Sequence, residues 1–443
     1  MMMKNTYYLV SLGCAKNTVD SESIAALLNN AGFSPQDTPN KAEVLIVNTC
    51  GFIESARQES IEVLQDLSAG KKKNQYLIAA GCMTERYRQA LAQQVDGING
   101  FVGTKRWMDM LEVIKQSREN ASKLPYDHFP ESRTVGTDEH GVPRYAIQGG
   151  SAYLKIADGC RRPCAFCSIP LIKGTAVSRP GEIILEEAFN LQQQGIQELI
   201  LISQDTTDYG SDLGIKNGLA GLLKEITTRV PEIPWIRVLY AYPGFVTDEL
   251  IDVMASSPQI LHYLDIPLQH AHPDMLKRMK RPSNIEWVYK TVEKMRRAMP
   301  DLAIRTTFIT GFPGESDAEF ASLLKFIEAM KFDHVGCFTY SREAGTSSAK
   351  MADDVPEELK LERLEQLMLA QEKISLAKNQ SLIGKTLPVL VEGFNEEIII
   401  GRSYRDAPEI DGMVFAEGQA ALGQIVPVQI NSAMVHDLMG RVL

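Results

Sequence analysis

The sequence lacks several features that would assign it to a class at once. No apolar run approaches the ~20 residues that a membrane-spanning helix needs, and the amino terminus shows no apolar core typical of a signal peptide. An excess of positive charge is also lacking, because the 443 residues carry a net charge of −10. These absences predict no membrane partner and no general nucleic-acid binding through bulk electrostatics.

A disulfide framework is not indicated either. The chain has seven cysteines, an odd number, and six of them fall into two sets of three. Cysteines grouped in this way are typical of intracellular metal binding rather than of a secreted, disulfide-linked scaffold. The pattern therefore predicts a reducing compartment, the cytoplasm.

The most specific motif contains the second set, Cys160, Cys164 and Cys167, at spacing C-x3-C-x2-C after a strand-like run that begins at Tyr153. A structural zinc ion takes four ligands. Three thiolates instead suit a four-iron cluster that leaves one iron open to a small molecule. The position at the end of a strand is typical of a barrel active site. The alternative is three core or zinc cysteines.

The other set lies in the N-terminal third. Three apolar runs each end in a cysteine, and each is followed by a helical pattern. This repetition predicts a doubly wound parallel sheet, in which ligands bind beyond the carboxyl ends of the strands. The runs end at Cys14, Cys50 and Cys82. We expect a second three-thiolate site there; the alternative is that these cysteines belong to the core.

Six strand-helix units follow and predict a partial TIM-like barrel. The predicted strands are Tyr153–Asp158, Glu198–Ser203, Trp235–Tyr240, Tyr263–Ile266, Ile304–Thr310 and His334–Tyr340. A long helical pattern then runs from Pro356 to about Leu382. Short strands after Gly384 predict a small C-terminal β-barrel; they are Leu387–Val391, Glu397–Gly401, Gly412–Phe415 and Ile425–Ile430.

The C-terminal barrel is acidic. From Thr386 to Leu443 it carries three arginines against eight carboxylates, a net charge of −5. RNA binding requires cations against phosphate, so this charge predicts a basic protein partner instead. The alternative is an acidic surface that only keeps the protein in solution.

The loop from Cys160 to Cys167 resembles the signature of the radical S-adenosylmethionine (SAM) enzymes. A cysteine-bearing sheet before such a barrel resembles the methylthiotransferases, and the likeness extends over nearly the whole chain. It implies an α/β fold with an N-terminal doubly wound sheet, a partial TIM-like radical SAM barrel and a C-terminal β-barrel, the TRAM domain. The expected bounds are 1–120 for the first domain, 121–150 for a linker, 151–384 for the barrel with its connecting helix, and 385–443 for TRAM.

The resemblance also implies an enzyme with two 4Fe–4S clusters. Cys160, Cys164 and Cys167 match the ligands of the cluster that binds SAM and cleaves it to a 5′-deoxyadenosyl radical. Cys14, Cys50 and Cys82 match the ligands of the auxiliary cluster, which is tied to sulfur delivery. No catalytic residue beyond the ligands is assigned. An external electron donor and a sulfur source are implied, and the residues expected on the SAM side are Gln204, Arg305 and Gly311.

Four stretches are similar to the branch that modifies the β-carbon of an aspartate in small-subunit ribosomal protein twelve, within a ribosomal particle. Arg161 departs from the acidic residue expected beside the cluster and leaves the cysteines intact. The alternatives are methylthiolation of adenosine in transfer RNA, a non-catalytic ribosome-binding iron–sulfur protein, and a plain zinc protein. The four stretches are 11–17, 157–160, 239–243 and 265–271.

Overall fold

The computed structural model describes residues 5–120, 124–135 and 140–443. The chain divides into two compact units that interleave along the sequence. The first unit comprises Met1–Ala146, Ala157–Arg162 and Cys167–Arg179. The second comprises Ile147–Ile156, Pro163–Phe166 and Pro180–Leu443. None of the helices in the described ranges is both long and apolar enough to cross a bilayer.

The first unit is built on a parallel sheet whose strands follow the order β2-β1-β3-β4-β5-β6 in the described ranges. Its central strand, Val44–Thr49, is buried throughout, as expected for a parallel sheet covered by helices on both faces. The doubly wound sheet is therefore confirmed. Its elements are β1 (Thr6–Ser11), α1 (Ala15–Asn30), β2 (Ser34–Pro35), β3 (Val44–Thr49), α2 (Glu54–Gly70), β4 (Tyr76–Gly81), α3 (Cys82–Gln94), β5 (Gly100–Gly103), α4 (Met110–Glu119) and β6 (Tyr126–His128).

The edge strand β6 lies inside the stretch 121–150, for which the sequence predicts a linker. The Tyr126 backbone N–H donates to Asn99 O at 2.9 Å, and β6 pairs in parallel with β5. The segment extends the sheet because its backbone groups find partners on β5. Residues 121–123 and 136–139 of the predicted linker lie outside the described residues.

The middle of the chain alternates strands and helices. Strands β8 and β11 to β15 pair in parallel, in the order β15-β14-β13-β12-β11-β8, which confirms the predicted partial barrel. The elements are β7 (Tyr145–Gln148), β8 (Ser151–Lys155), β9 (Ala157–Asp158), α5 (Ile169–Lys173), β10 (Val177–Ser178), α6 (Gly181–Gln193), β11 (Glu198–Ile202), α7 (Gly218–Arg229), β12 (Trp235–Val238), α8 (Asp248–Ser256), β13 (Ile260–Asp265), α9 (Pro273–Arg278), α10 (Ile285–Ala298), β14 (Ala303–Thr310), α11 (Asp317–Met330) and β15 (His334–Thr339).

The C-terminal strands form a small barrel that closes in the order β16-β17-β18-β20-β19, as predicted. Its interior is apolar, with residues such as Val389, Ile399 and Val428 fully buried. A long helix precedes it. The elements are α12 (Glu357–Gln380), β16 (Thr386–Phe394), β17 (Ile398–Ser403), β18 (Val414–Glu417), β19 (Ile425–Ala433) and β20 (Leu438–Val442).

Buried ion pairs connect the small barrel to the strands of the partial barrel within the second unit. Arg402, at the end of β17, lies 2.6 Å from Glu198, the first residue of β11. Asp411 accepts a hydrogen bond from the Tyr263 hydroxyl at 2.7 Å and lies 3.3 Å from Arg305. Because buried charges need partners, these contacts hold the segment 402–411 against the partial barrel.

Candidate functional site

The three loops that follow β1, β3 and β4 approach one another closely. Gly13 adopts φ +96°, and a Cβ at this position would lie 2.8 Å from Cys50 Cβ. A Cβ on Gly51 would lie 2.6 Å from Met83 Cα. Glycine is needed at Gly13 for the left-handed backbone and at both positions for the close approach. The structure therefore brings together the loops that carry the first cysteine set, Cys14, Cys50 and Cys82.

Two of these cysteines stand at the start of a helix. Cys14 is the N-cap of α1, and Cys82 is the first residue of α3. Helix N-termini carry partial positive charge from their unpaired N–H groups, and this charge favours a thiolate over a thiol. The helix starts therefore contribute positive charge at both sulfur atoms.

Electrostatics distinguish the two helix-start thiols. The surrounding protein opposes ionisation of Cys14, but the charge of Lys16 and the Asn17 backbone N–H outweigh it and lower the pKa of Cys14. Burial raises the pKa of Cys82 to about 12, against the attraction of Lys173. Cys14 is therefore the sulfur that ionises more readily, whereas ionisation of Cys82 requires a further positive charge such as a bound metal.

Backbone N–H groups point at the sulfur atoms of the second cysteine set. In the first unit, the Arg162 N–H donates to Cys160 Sγ and the Ile169 N–H donates to Cys167 Sγ, each at 3.5 Å. The Cys160 N–H in turn donates to Gly174 O at 3.0 Å. Such N–H donors stabilise ligating thiolates and help to set the potential of an iron–sulfur cluster.

The middle cysteine of the loop belongs to the second unit, where it has two polar neighbours. Arg281 Nη1 lies 3.5 Å from Cys164 Sγ, and the Tyr242 hydroxyl lies 3.7 Å from it. The Arg281 guanidinium also stacks over the Tyr242 ring, 4.4 Å from its centroid. Neither residue was predicted from the sequence to belong to the site. Tyr242 could have been found from the sequence, because it lies in the stretch 239–243 that is similar to the related enzymes.

The three residues expected on the SAM side differ in their surroundings. Gln204 follows β11, and its Oε1 atom is buried without a hydrogen-bond partner. Arg305 is third in β14 and lies 3.3 Å from Asp265. The Gly311 N–H donates to Glu315 at 2.8 Å. Gln204 therefore has an acceptor free for a ligand, while Arg305 and Gly311 already contact protein groups; SAM binding by all three stays a prediction.

The donor sets fit iron–sulfur clusters by their chemistry. Both are all-thiol sets. Cys14 and Cys82 stand at helix starts, and Cys160 and Cys167 accept backbone N–H donors, which suits thiolate ligation. In the described ranges no three His, Cys, Asp or Glu side chains surround one point closely enough for a single metal ion. A four-iron cluster binds each thiolate through a different iron, so its ligands need not meet at one point.

Comparison with protein families agrees with the three-part architecture. Residues 154–327 match the radical SAM superfamily, and residues 383–443 match the TRAM domain. Residues 6–103 match a family described as uncharacterized protein family UPF0004. The radical SAM match supports SAM and an iron–sulfur cluster as cofactors.

Solved structures share the fold at low sequence identity. The radical SAM methyltransferase TsrM from Kitasatospora setae aligns with a TM-score of 0.58 and 14% identity, over 87% of this chain and 77% of that one. The cobalamin-dependent SAM radical enzyme OxsB aligns with a TM-score of 0.52 and 12% identity, over 83% of this chain and 56% of that one. At these identities the likeness shows the fold alone.

Curated relatives match over nearly their full length. Two are the ribosomal protein uS12 methylthiotransferases RimO of Herpetosiphon aurantiacus, 44% identical over 99% of this chain and 100% of the relative, and of Chloroflexus aurantiacus, 43% identical over 99% of both. The RimO of a Thermoanaerobacter species is 44% identical over 99% of this chain and 100% of the relative. The chain therefore belongs to the RimO family of uS12 methylthiotransferases and is a radical SAM methylthiotransferase.

Proposed function

We propose that this enzyme adds a methylthio group to the β-carbon of an aspartate in ribosomal protein uS12, using two 4Fe–4S clusters. Cys160, Cys164 and Cys167 hold one cluster, and the other is held by Cys14, Cys50 and Cys82. The observation that carries the proposal is the approach of Gly13 to Cys50, which draws the cysteine loops of three parallel strands together. A second all-thiol set, separate from the radical SAM motif, would provide a cluster for sulfur insertion in addition to the one that cleaves SAM.

When bound, the clusters and SAM supply the radical chemistry and the transferred groups. The chain's own residues hold and tune these groups. The N–H donors to Cys160 and Cys167, together with Arg281 at Cys164, stabilise negative charge on the sulfur ligands. The unpartnered Gln204 Oε1 offers an acceptor to a donor group of SAM. We also propose Arg305 and Gly311 as SAM-side residues.

The surface of the C-terminal barrel supports a basic protein as substrate. Arg402 and Arg405 are buried, and they are paired with Glu198 and Asp333. This leaves Arg441 as the exposed arginine of residues 386–443, all of which the structure describes. Phosphate binding needs exposed cations, so this surface favours uS12 over transfer RNA. The exposed glutamates are Glu392, Glu396, Glu397, Glu409 and Glu417.

We infer that the substrate is presented in a ribosomal particle, that a one-electron donor and a sulfur source act from outside the chain, and that the reaction takes place in the cytoplasm. The cysteine usage supports the reducing compartment. The bounds 1–120, 151–384 and 385–443 remain our assignment of the three domains.

The test is an anaerobic reaction with reconstituted clusters, SAM and reductant, in which uS12 and transfer RNA are offered in parallel. Mass spectrometry should find the methylthio group on the uS12 aspartate. Cys50→Ala should still release 5′-deoxyadenosine but form no methylthio product. Cys337→Ala is the matched control, because Cys337 belongs to neither set, and it should retain both activities.

Two outcomes would contradict the proposal. A methylthio group on adenosine and none on uS12 would overturn the substrate assignment and the charge argument while keeping the chemistry. Full product formation by Cys50→Ala would overturn the auxiliary-cluster role.

A further inference from the structure

A buried group of four charged side chains lies in the first unit, outside both cysteine sets. Lys173 Nζ lies 2.8 Å from Asp20 and 3.3 Å from Asp158. Arg144 Nη2 lies 2.6 Å from Asp20 and 2.9 Å from Asp158. All four residues are less than a tenth exposed. Each carboxylate therefore bridges both cations, and we call these four residues the charge cluster.

The charge cluster joins segments that carry cysteines of both sets. Asp20 lies on α1, whose N-cap is Cys14. Asp158 ends β9, just before Gly159 and Cys160, and Lys173 ends α5, which begins shortly after Cys167. The two flanks of the Cys160–Cys167 loop are thus tied to the helix that starts at the first cysteine of the N-terminal sheet.

A second contact reinforces this connection. Helix α5 packs against α3, whose first residue is Cys82. The Lys173 charge reaches the Cys82 thiol, where it opposes the effect of burial on the pKa. Helix α3 and the loop flank are therefore packed together, and Lys173 interacts with the charge of both.

Burying the four side chains of the charge cluster costs desolvation free energy. Burial alone lowers the pKa of Lys173, but the attraction of Asp20 and Asp158 outweighs it, so the pKa is raised and the lysine stays charged. Replacing such buried ion groups by apolar residues is often neutral or stabilising. Stability alone is therefore a weak reason for this arrangement, whereas a fixed geometry between two sites is a sufficient one.

We propose that Asp20, Arg144, Asp158 and Lys173 are positioning residues that hold Cys160 and Cys167 at a fixed separation from Cys14 and Cys82. This separation couples SAM cleavage to sulfur transfer at a single substrate carbon. The inference rests on the proposed function, because it assumes the two clusters of that function and assigns a role to the distance between them. A misplacement of about 1 Å costs on the order of a hundredfold in rate, so a small shift suffices to uncouple the two steps.

The test uses the full chain with both clusters reconstituted and the double variant Asp20→Asn/Lys173→Met. This variant removes one charge of each sign, so the Arg144–Asp158 pair stays balanced. It should keep its iron and sulfide, and it should cleave SAM within about twofold of the parent. The amount of 5′-deoxyadenosine formed per methylthio product should rise about tenfold or more. Pulsed electron paramagnetic resonance of the reduced protein should show a broader distribution of distances between the clusters.

The matched control is Lys378→Met, which removes a lysine 3.0 Å from the buried Asp333 in the second unit. It removes a lysine from a buried ion pair without touching the charge cluster, and its ratio of 5′-deoxyadenosine to product should equal that of the parent. If the double variant shows the ratio and the distance distribution of this control, the positioning role is overturned, whatever its melting temperature.

A second variant replaces the double variant if the double variant cannot bind its clusters. This variant is Lys173→Arg, because it preserves the charge and alters only the geometry. A raised ratio in Lys173→Arg supports the proposal, and an unchanged ratio overturns it. Failure of the proposed function itself is recognised separately, since the parent enzyme would then form no methylthio product on uS12.

Discussion

Arg281 Nη1 lies 3.5 Å from Cys164 Sγ, while the same guanidinium stacks on the Tyr242 ring at 4.4 Å. Its other terminal nitrogen donates to the Pro267 carbonyl oxygen. The arginine is thus fixed by three contacts with its positive charge at the middle cysteine of the radical SAM motif. A cation and a hydrogen bond at a ligand sulfur stabilise the more negative, reduced state of a cluster.

We expect Arg281→Met to lower the reduction potential of the SAM-cleaving cluster. Loss of a tenfold preference for the reduced state corresponds to about 59 mV for a one-electron couple. A redox titration followed by electron paramagnetic resonance measures the shift. Arg296→Met is the control, because Arg296 donates to Lys331 O and contacts no cysteine. Equal reduction potentials in the two variants would show that Arg281 does not influence the potential of this cluster.

Cys164→Ala is expected to abolish SAM cleavage, because it removes one of the three thiolates of the radical SAM loop. The auxiliary site on Cys14, Cys50 and Cys82 should still load. Measurement of 5′-deoxyadenosine together with iron content per chain tests both statements. Iron should fall by about half while 5′-deoxyadenosine disappears. Continued SAM cleavage would show that Cys164 is not a required ligand.

The buried Glu198 should make the stability of the second unit depend on pH in the acid range. Burial opposes its ionisation, but Arg237 and Arg402 outweigh burial and lower the pKa of Glu198 to about 2, from an ordinary value of 4.5. A lowered pKa stabilises the fold above the unfolded-state value, and this contribution is lost as pH falls from 4.5 towards about 2. Acid unfolding followed by circular dichroism should therefore steepen in this window.

The double variant Glu198→Gln/Arg402→Met is the reference for that measurement. It should lose the steep dependence, because it has no depressed carboxylate at this position. Arg402→Met alone should cost about 3–5 kcal/mol, since it leaves a buried charge with fewer partners. An identical pH dependence in the parent and the double variant would show that this ion pair does not carry the acid stability.

The exposed glutamates of the C-terminal barrel should affect substrate binding rather than the chemical steps. Replacing Glu396, Glu397 and Glu417 by glutamine should raise the KM for uS12 severalfold, with kcat unchanged, because exposed charges mainly steer association. The effect should shrink at high salt. A variant with three neutralised glutamates elsewhere is the control: Glu286, Glu293 and Glu328, all exposed. Equal KM values in both variants would contradict a role for the barrel glutamates.

The regular elements were largely predictable from periodicity. The predicted strand Glu198–Ser203 is observed as Glu198–Ile202, and Ile304–Thr310 as Ala303–Thr310. The last strand, Leu438–Val442, was not among the predicted ranges. Its alternation is short and interrupted by Gly440, so the pairing with β18 and β19 defines it more than its own sequence does.

The amino-acid sequence alone determined the two cysteine sets, the parallel sheet and the partial barrel, because cysteine spacing and hydrophobic periodicity are local properties of the sequence. Only the tertiary structure decided which distant groups meet. Arg281 reaches Cys164 from far along the chain, and Lys173 reaches Asp20 from a different element. Such contacts leave no periodic pattern in the sequence, since they depend on how whole helices and strands pack. The cysteines were therefore predictable, whereas the charged residues that surround them were not.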